Sequence, residues 1–190
     1  MNKILGAFLL TACLSAQQQG QATQAPVAQG QGHIRNFHRI DDHISRGRQP
    51  NKYGFEELAH EGFKTVLDLR GGPVHEPHER KVVEGLGMHY ISIRLSGIWA
   101  PHDDQIAKIL AVMEDPARWP IFVHCRRGDD RLGMAIACYR IAYDHWSNQK
   151  AFDEATQIGL SRFEPFMRRY IRHFDPSRIP VNTAAVGNSR

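Results

Sequence analysis

The chain has three cysteines in 190 residues, too few for a disulfide framework, so its stability must come from a buried core and each thiol needs its own explanation. Long apolar runs are also missing. The one candidate, residues 4–13 after Lys3, is too short to cross a bilayer as a helix and has the layout of a secretory signal peptide. No basic stripe interleaved with aromatics occurs and the net charge is a modest +4, so no nucleic-acid partner is expected. His75 and His78 stand at i, i+3 with no third ligand at a sensible spacing, which reads as a solvated helix face rather than a metal site. No metal or cofactor is expected. What remains is length enough for one domain with a sizeable core.

The two ends differ from the middle in composition. Leu10-Thr11-Ala12-Cys13 resembles a bacterial lipobox, in which Cys13 would be lipidated and become the mature N-terminus. Cleavage after Leu14-Ser15-Ala16 is the alternative; the lipoprotein reading is preferred because the apolar region is short and ends on the cysteine. Residues 1–16 are therefore read as a signal peptide or lipobox region, and residues 17–32, rich in Gln, Ala and Gly, as a flexible linker. Residues 33–174 form the domain and residues 175–190 a loose tail. The expectation is a protein exported in a bacterium, periplasmic or membrane-anchored, monomeric, and touching the membrane only through a lipid anchor.

Within the domain, strand and helix signals alternate. Residues 37–40 and 43–46 read as a hairpin turning at Asp41-Asp42, and Asn51 opens a helix that buries Phe55 and Leu58 and stops at Gly62. A buried strand over residues 66–69 ends in Arg70-Gly71-Gly72-Pro73. A polar helix over 75–86 follows, then an alternating strand over 88–95. His102 or Asp103 caps a helix with Ile106, Ile109, Leu110 and Met113 inward. Three more helices follow residue 130, the last carrying Phe163, Phe166, Met167, Tyr170, Ile171 and Phe174 as a core stripe. The alternation predicts an α/β domain whose mainly parallel sheet is covered on both faces.

The densest chemistry lies in Val123-His124-Cys125-Arg126-Arg127-Gly128-Asp129-Asp130-Arg131-Leu132-Gly133, between an apolar strand run and an apolar helix pattern. A loop leaving a strand and entering a helix N-terminus aims backbone N–H groups and the positive helix pole at one spot, which binds an oxyanion. The same field favours the thiolate of Cys125, the form that attacks. Arg131 can offer phosphate two parallel donors. Gly128 lets the backbone turn, and Arg126 and Arg127 add charge that favours anionic substrates. Cys138 sits on the apolar side of the next helix and reads as a buried free thiol.

With its leading histidine, His124-Cys125-x5-Arg131 resembles the signature of the cysteine-dependent protein tyrosine phosphatases, in their small bacterial dual-specificity-like branch. Two further segments carry the resemblance: Arg46-Gly47-Arg48-Gln49-Pro50, similar to an R-x-x-Q-P motif, and Thr65-Val66-Leu67-Asp68-Leu69-Arg70, similar to a TVxxLR strand. It covers residues 37–174. It implies a central sheet of four or five strands with a bundle of helices on one side. It also implies hydrolysis of a phosphate monoester through a cysteinyl phosphate, with residues 126–131 binding phosphate and His124 as structural support. The substrate would be a phosphorylated protein or a small phosphorylated anion.

Two departures bear on turnover. Leu132 stands where the family has Ser or Thr, whose hydroxyl helps the thiolate leave, which implies slow phosphoenzyme hydrolysis. The loop that should carry a general acid, residues 95–101, has no carboxylate. Asp103 is the expected acid, with Asp130 as the alternative. A low-turnover phosphate-binding module, a sulfurtransferase and an arsenate reductase are the competing readings.

Overall fold

The computed structural model describes residues 32–179; the proposed signal region with Cys13, nearly all of the linker and most of the tail lie outside them. The elements in chain order are β1 (His38–Arg39), β2 (Ile44–Arg48), α1 (Lys52–His60), β3 (Thr65–Asp68), α2 (Glu76–Gly85), β4 (His89–Ser92), α3 (Asp103–Met113), β5 (Ile121–Cys125), α4 (Asp130–Ala142), α5 (Asn148–Gln157) and α6 (Pro165–Arg172). Two 3₁₀ turns, Pro116–Arg118 and Pro176–Arg178, complete the path.

The five strands form one sheet in the order β1-β2-β5-β3-β4. Only β1 runs antiparallel, paired with β2 as the expected hairpin; Asp41 Oδ1 caps its turn by accepting from the amides of His43 and Ile44 at 2.7 and 2.8 Å. Both faces are covered, as the alternation required, although the resemblance alone implied helices on one side. Side chains alternate across a strand, so β5 divides cleanly. Ile121, Val123 and Cys125 enter the core beneath α3 to α6, and Phe122 enters a second core with Phe55, Leu58, Val66 and Val83 beneath α1 and α2. His124 shares that second face, within 6.1 Å of the Phe122 ring and 6.3 Å of Phe55.

Caps explain several boundaries. Asn51 accepts from the Gly54 amide at 3.0 Å, and Ser147 from the Lys150 amide at 3.2 Å. His102 is the cap of α3, with Gln105 Oε1 accepting from its amide, so Asp103 is the first helical residue. The last helix departs from expectation. Pro165 starts it, so Phe163 lies ahead of it, 74% exposed, and Phe166 is half out. Met167 and Ile171, four apart, take the inner face, with Phe174 buried just beyond. The start of the tail is also held: Asp175 caps the second 3₁₀ turn, and Arg178 reaches Asp103 at 3.3 Å.

Candidate active site

β5 lies at the centre of the sheet between β2 and β3, and its last residue is Cys125. A site at the carboxyl edge of parallel strands is where such sheets bind ligands. Residues 126–129 lead directly into α4. Among the described residues, no hydrogen bond is donated by the main-chain N–H groups of residues 126–131. Six donors at a helix start are thus free for an anion.

The β2 segment holds that loop in shape. Arg46, fully buried, donates Nη2 to the Gly128 carbonyl, and Asn36 Nδ2 donates to the same oxygen at 3.0 Å. Two donors fix this carbonyl on the β2 side of the loop. Gly128 has φ +84°, and a Cβ there would stand 2.7 Å from the Arg48 nitrogen, so no larger residue fits. The Gln49 amide donates to the Cys125 carbonyl at 3.0 Å. Arg46 is the functional residue that chemistry-based reading passed over; its only signal was its place in the R-x-x-Q-P segment. Burial pushes its pKa down to about 10, against the pull of Cys125, so it stays charged at neutral pH.

Behind the loop lies a closed polar cluster. Arg70 donates to both Asp68 oxygens at 3.0 and 2.9 Å and to Glu79 Oε2 at 2.5 Å. Gln49 reaches the same Glu79 oxygen at 2.9 Å, and Tyr90 donates its hydroxyl to Asp68 at 2.8 Å. His124 Nε2 lies 2.9 Å from Glu79 Oε1. Burial opposes ionisation of Asp68, but His124 and the bonds from Arg70 outweigh it and hold the carboxyl below the usual carboxylate range. Burial and the neighbouring carboxylates push the Tyr90 phenol up, so it remains a donor. Ligand atoms of Asp68, Glu79 and His124 come within 4.8 Å of one another. That spacing could suit a metal, yet the Arg70 guanidinium already bridges both carboxylates and supplies the cation.

In front of the loop is a cavity of about 860 Å³ with Arg126, Arg131, Arg70, Arg94, His75 and Gln49 among its walls. Cys125 is 2% exposed at the loop's base. Arg127 turns aside, to Asp130 at 2.6 Å and Asp129 at 3.5 Å, and does not wall the cavity. Asp130 is nearly buried with both oxygens engaged, one by Arg127 and one by the Ser161 amide at 2.9 Å, a loop-holding arrangement. Asp129 accepts from Asn36 at 3.1 Å.

Asp103 is not brought to this cavity. As the first residue of α3 it accepts from the Tyr170 hydroxyl at 2.8 Å and pairs with Arg178, in a separate cleft against α6. Leu132 is fully buried in the core under α3 to α6, and Cys138, likewise buried, has its thiol pushed up by burial.

A family described as DSP-PTPase phosphatase fused to NAD+ kinase matches residues 21–167. The chain belongs to it. It is a phosphatase of the tyrosine and dual-specificity type, within the cysteine-dependent tyrosine phosphatase superfamily. The inositol diphosphatase DSP5 of Arabidopsis thaliana is 28% identical over 153 residues, 76% of this chain and 72% of the relative. The inositol diphosphatase SIW14 of Saccharomyces cerevisiae is 28% identical over 76% of this chain, which spans 52% of that relative's length. The dual specificity phosphatase TpbA of Pseudomonas aeruginosa PAO1 is 27% identical, covering 83% of this chain and 70% of its own. The SIW14 catalytic core in complex with citrate superposes with a TM-score of 0.67 at 26% identity, over 77% of this chain and 90% of that one. TpbA superposes with a TM-score of 0.66 over 80% and 91%.

Proposed function

We propose that this chain hydrolyses a small, multiply phosphorylated anion through a cysteinyl phosphate on Cys125. The observation that carries the reading is the pairing of six free loop N–H donors with a cavity whose walls hold, among the described residues, three arginines without an ion-pair partner, Arg94, Arg126 and Arg131, and no carboxylate. Such a wall selects for charge beyond one phosphoryl group. The relatives named inositol diphosphatases support the same substrate class.

In this reading the Cys125 thiolate attacks phosphorus while Arg131 holds two equatorial oxygens and the loop amides hold the developing charge. The sulfur–phosphorus bond forms as the bond to the leaving oxygen breaks. Water then displaces the thiolate, releasing phosphate. His124 positions the strand end from behind, and the buried Leu132 offers no hydroxyl to the departing sulfur, so the phosphoenzyme accumulates. Phosphate release from an inositol diphosphate should exceed release from a phosphotyrosine peptide at equal concentration, and Cys125→Ser should abolish both. Preference for the peptide would instead favour a phosphoprotein substrate, as a TpbA complex with phosphotyrosine suggests for that protein.

Export as a lipoprotein belongs to the same proposal and rests on residues 1–16. Metabolic labelling with a radiolabelled fatty acid that is lost in Cys13→Ala tests it.

A further inference from the structure

Resting on the phosphatase reading, we propose that His75 is the general acid of this site. Transfer from an alcohol or phenol needs a proton donor at the departing oxygen, far more than transfer from a good leaving group does, and the cavity offers few. Arg70, Arg94, Arg126 and Arg131 do not release protons near neutral pH, and the glutamines and serine of the wall are not acids. Among the described residues of that wall, His75 alone has a side chain of the general acid–base type. The aspartates of the loop and Asp103 do not line the cavity and are committed elsewhere: Asp129 to Asn36 and Arg127, Asp130 to Arg127 and Ser161, and Asp103 to Tyr170 and Arg178 in another cleft.

The fold delivers His75 to the cavity by a specific path. β3, which neighbours the cysteine strand, ends at Asp68, and residues 69–75 carry the chain to the start of α2. Gly71 makes the approach possible. It has φ +52°, and a Cβ there would stand 2.7 Å from the Arg94 Cβ, so the loop lies directly against the segment after β4. His75 is exposed to solvent and lines the cavity, whereas the carboxylates on the helix it precedes are occupied: Glu76 and Glu84 by Arg80 at 2.8 and 3.2 Å, and Glu79 by Arg70 and His124. The charged groups facing it across the cavity are Arg94, Arg126 and Arg131, with Arg70 at the back.

The proton balance is complete. As the sulfur–phosphorus bond forms, the leaving oxygen takes the proton of the His75 imidazolium as its own bond to phosphorus breaks. The neutral imidazole then accepts a proton from water while that oxygen bonds to phosphorus and the Cys125 thiolate departs, which restores the imidazolium.

The test uses the full chain with His75→Gln and His75→Ala against aryl phosphates graded from p-nitrophenyl to phenyl and tyrosyl. General-acid catalysis is typically worth about 10²- to 10⁴-fold. The expected result is a loss of about 10²-fold or more on phenyl and tyrosyl phosphate, only a few-fold on p-nitrophenyl phosphate, and disappearance of the alkaline limb of the kcat/KM profile. A loss that is equal across the leaving groups, large or small, overturns the assignment, since a purely structural or binding role moves all of them alike. Cys125→Ser is run in parallel. If it keeps turnover, the parent reading falls; if it is dead while His75→Gln shows no leaving-group dependence, only the His75 assignment falls.

Discussion

Two arginine-bearing regions lie on opposite sides of the cysteine loop and differ in one respect. Behind it, Arg70 is closed in with Asp68, Glu79, Tyr90, Gln49 and His124, and its charge is consumed within the protein. In front of it, Arg94, Arg126 and Arg131 form no ion pair with any described residue and face open solvent. Paired charge inside a low-dielectric region stiffens the frame without net attraction for ligands, and unpaired charge on a concave surface is left to act on a substrate. Arg70 touches both regions, which links the rigidity of the rear cluster to the geometry of the front.

The largest effect should come from breaking the rear cluster. Glu79→Ala takes away the partner of His124 Nε2 and leaves Arg70 with Asp68 alone, and removing one member of a buried ion pair typically costs about 3–5 kcal/mol. Thermal unfolding should fall accordingly, and Glu79→Gln, which keeps hydrogen-bonding capacity beside Arg70, Gln49 and His124, should recover much of it. Full recovery of stability without recovery of activity would show that the cluster's functional contribution is positional.

Arg46→Met comes next. It leaves the Gly128 carbonyl with Asn36 alone and removes a buried charge beneath the loop; loss of a buried hydrogen-bond partner costs about 1–3 kcal/mol. Here kcat should drop more than stability does, because the loop amides lose their aim. A variant with unchanged kcat would detach the β2 segment from catalysis.

The pH dependence of stability has a defined sign. Asp68 titrates lower in the folded chain than unfolded, so its contribution is complete above the ordinary aspartate value of about 3.9 and is lost as pH falls through the folded value. Denaturant melts from pH 6 to pH 3 should show an acid decline that is shallower in Asp68→Asn, offset by that variant's lower stability at pH 6.

The smallest effect on stability belongs to the front region. Arg94→Ala and Arg126→Ala, both at exposed positions, should stay within about 0.5 kcal/mol of wild type. Their kcat/KM for a polyphosphorylated substrate should nevertheless fall several-fold, more at low salt than at high, and p-nitrophenyl phosphate should be spared. Equal losses on both substrates would place these arginines at the reacting phosphoryl group instead of at a remote one.

Much of this was legible in order along the chain, because the signals are local. The strand, loop and helix around Cys125, the hairpin at Asp41-Asp42, the Asn51 helix start and the α/β alternation each depend on neighbours within a few residues. The spacing of Cys125 and Arg131 is likewise short, so the oxyanion loop could be read from one stretch. The last helix was misjudged for a local reason too: Pro165 sets its start, and a period counted from Phe163 places that ring inside when it lies outside.

What the sequence by itself determined was therefore the fold class, the family and the identity of the loop. Only the tertiary structure decided what surrounds that loop. Arg46 lies 82 residues from Gly128 and Asp103 lies 67 from Tyr170, and no local pattern encodes which side chains meet at such separations. Burial and pairing then divide the charged residues into those neutralised by a partner and those left facing the cavity. Asp103 and Asp130 fall on the first side, and Arg94 and Arg126 on the second, because each charge is settled by whichever opposite group the packed sheet brings within hydrogen-bond reach.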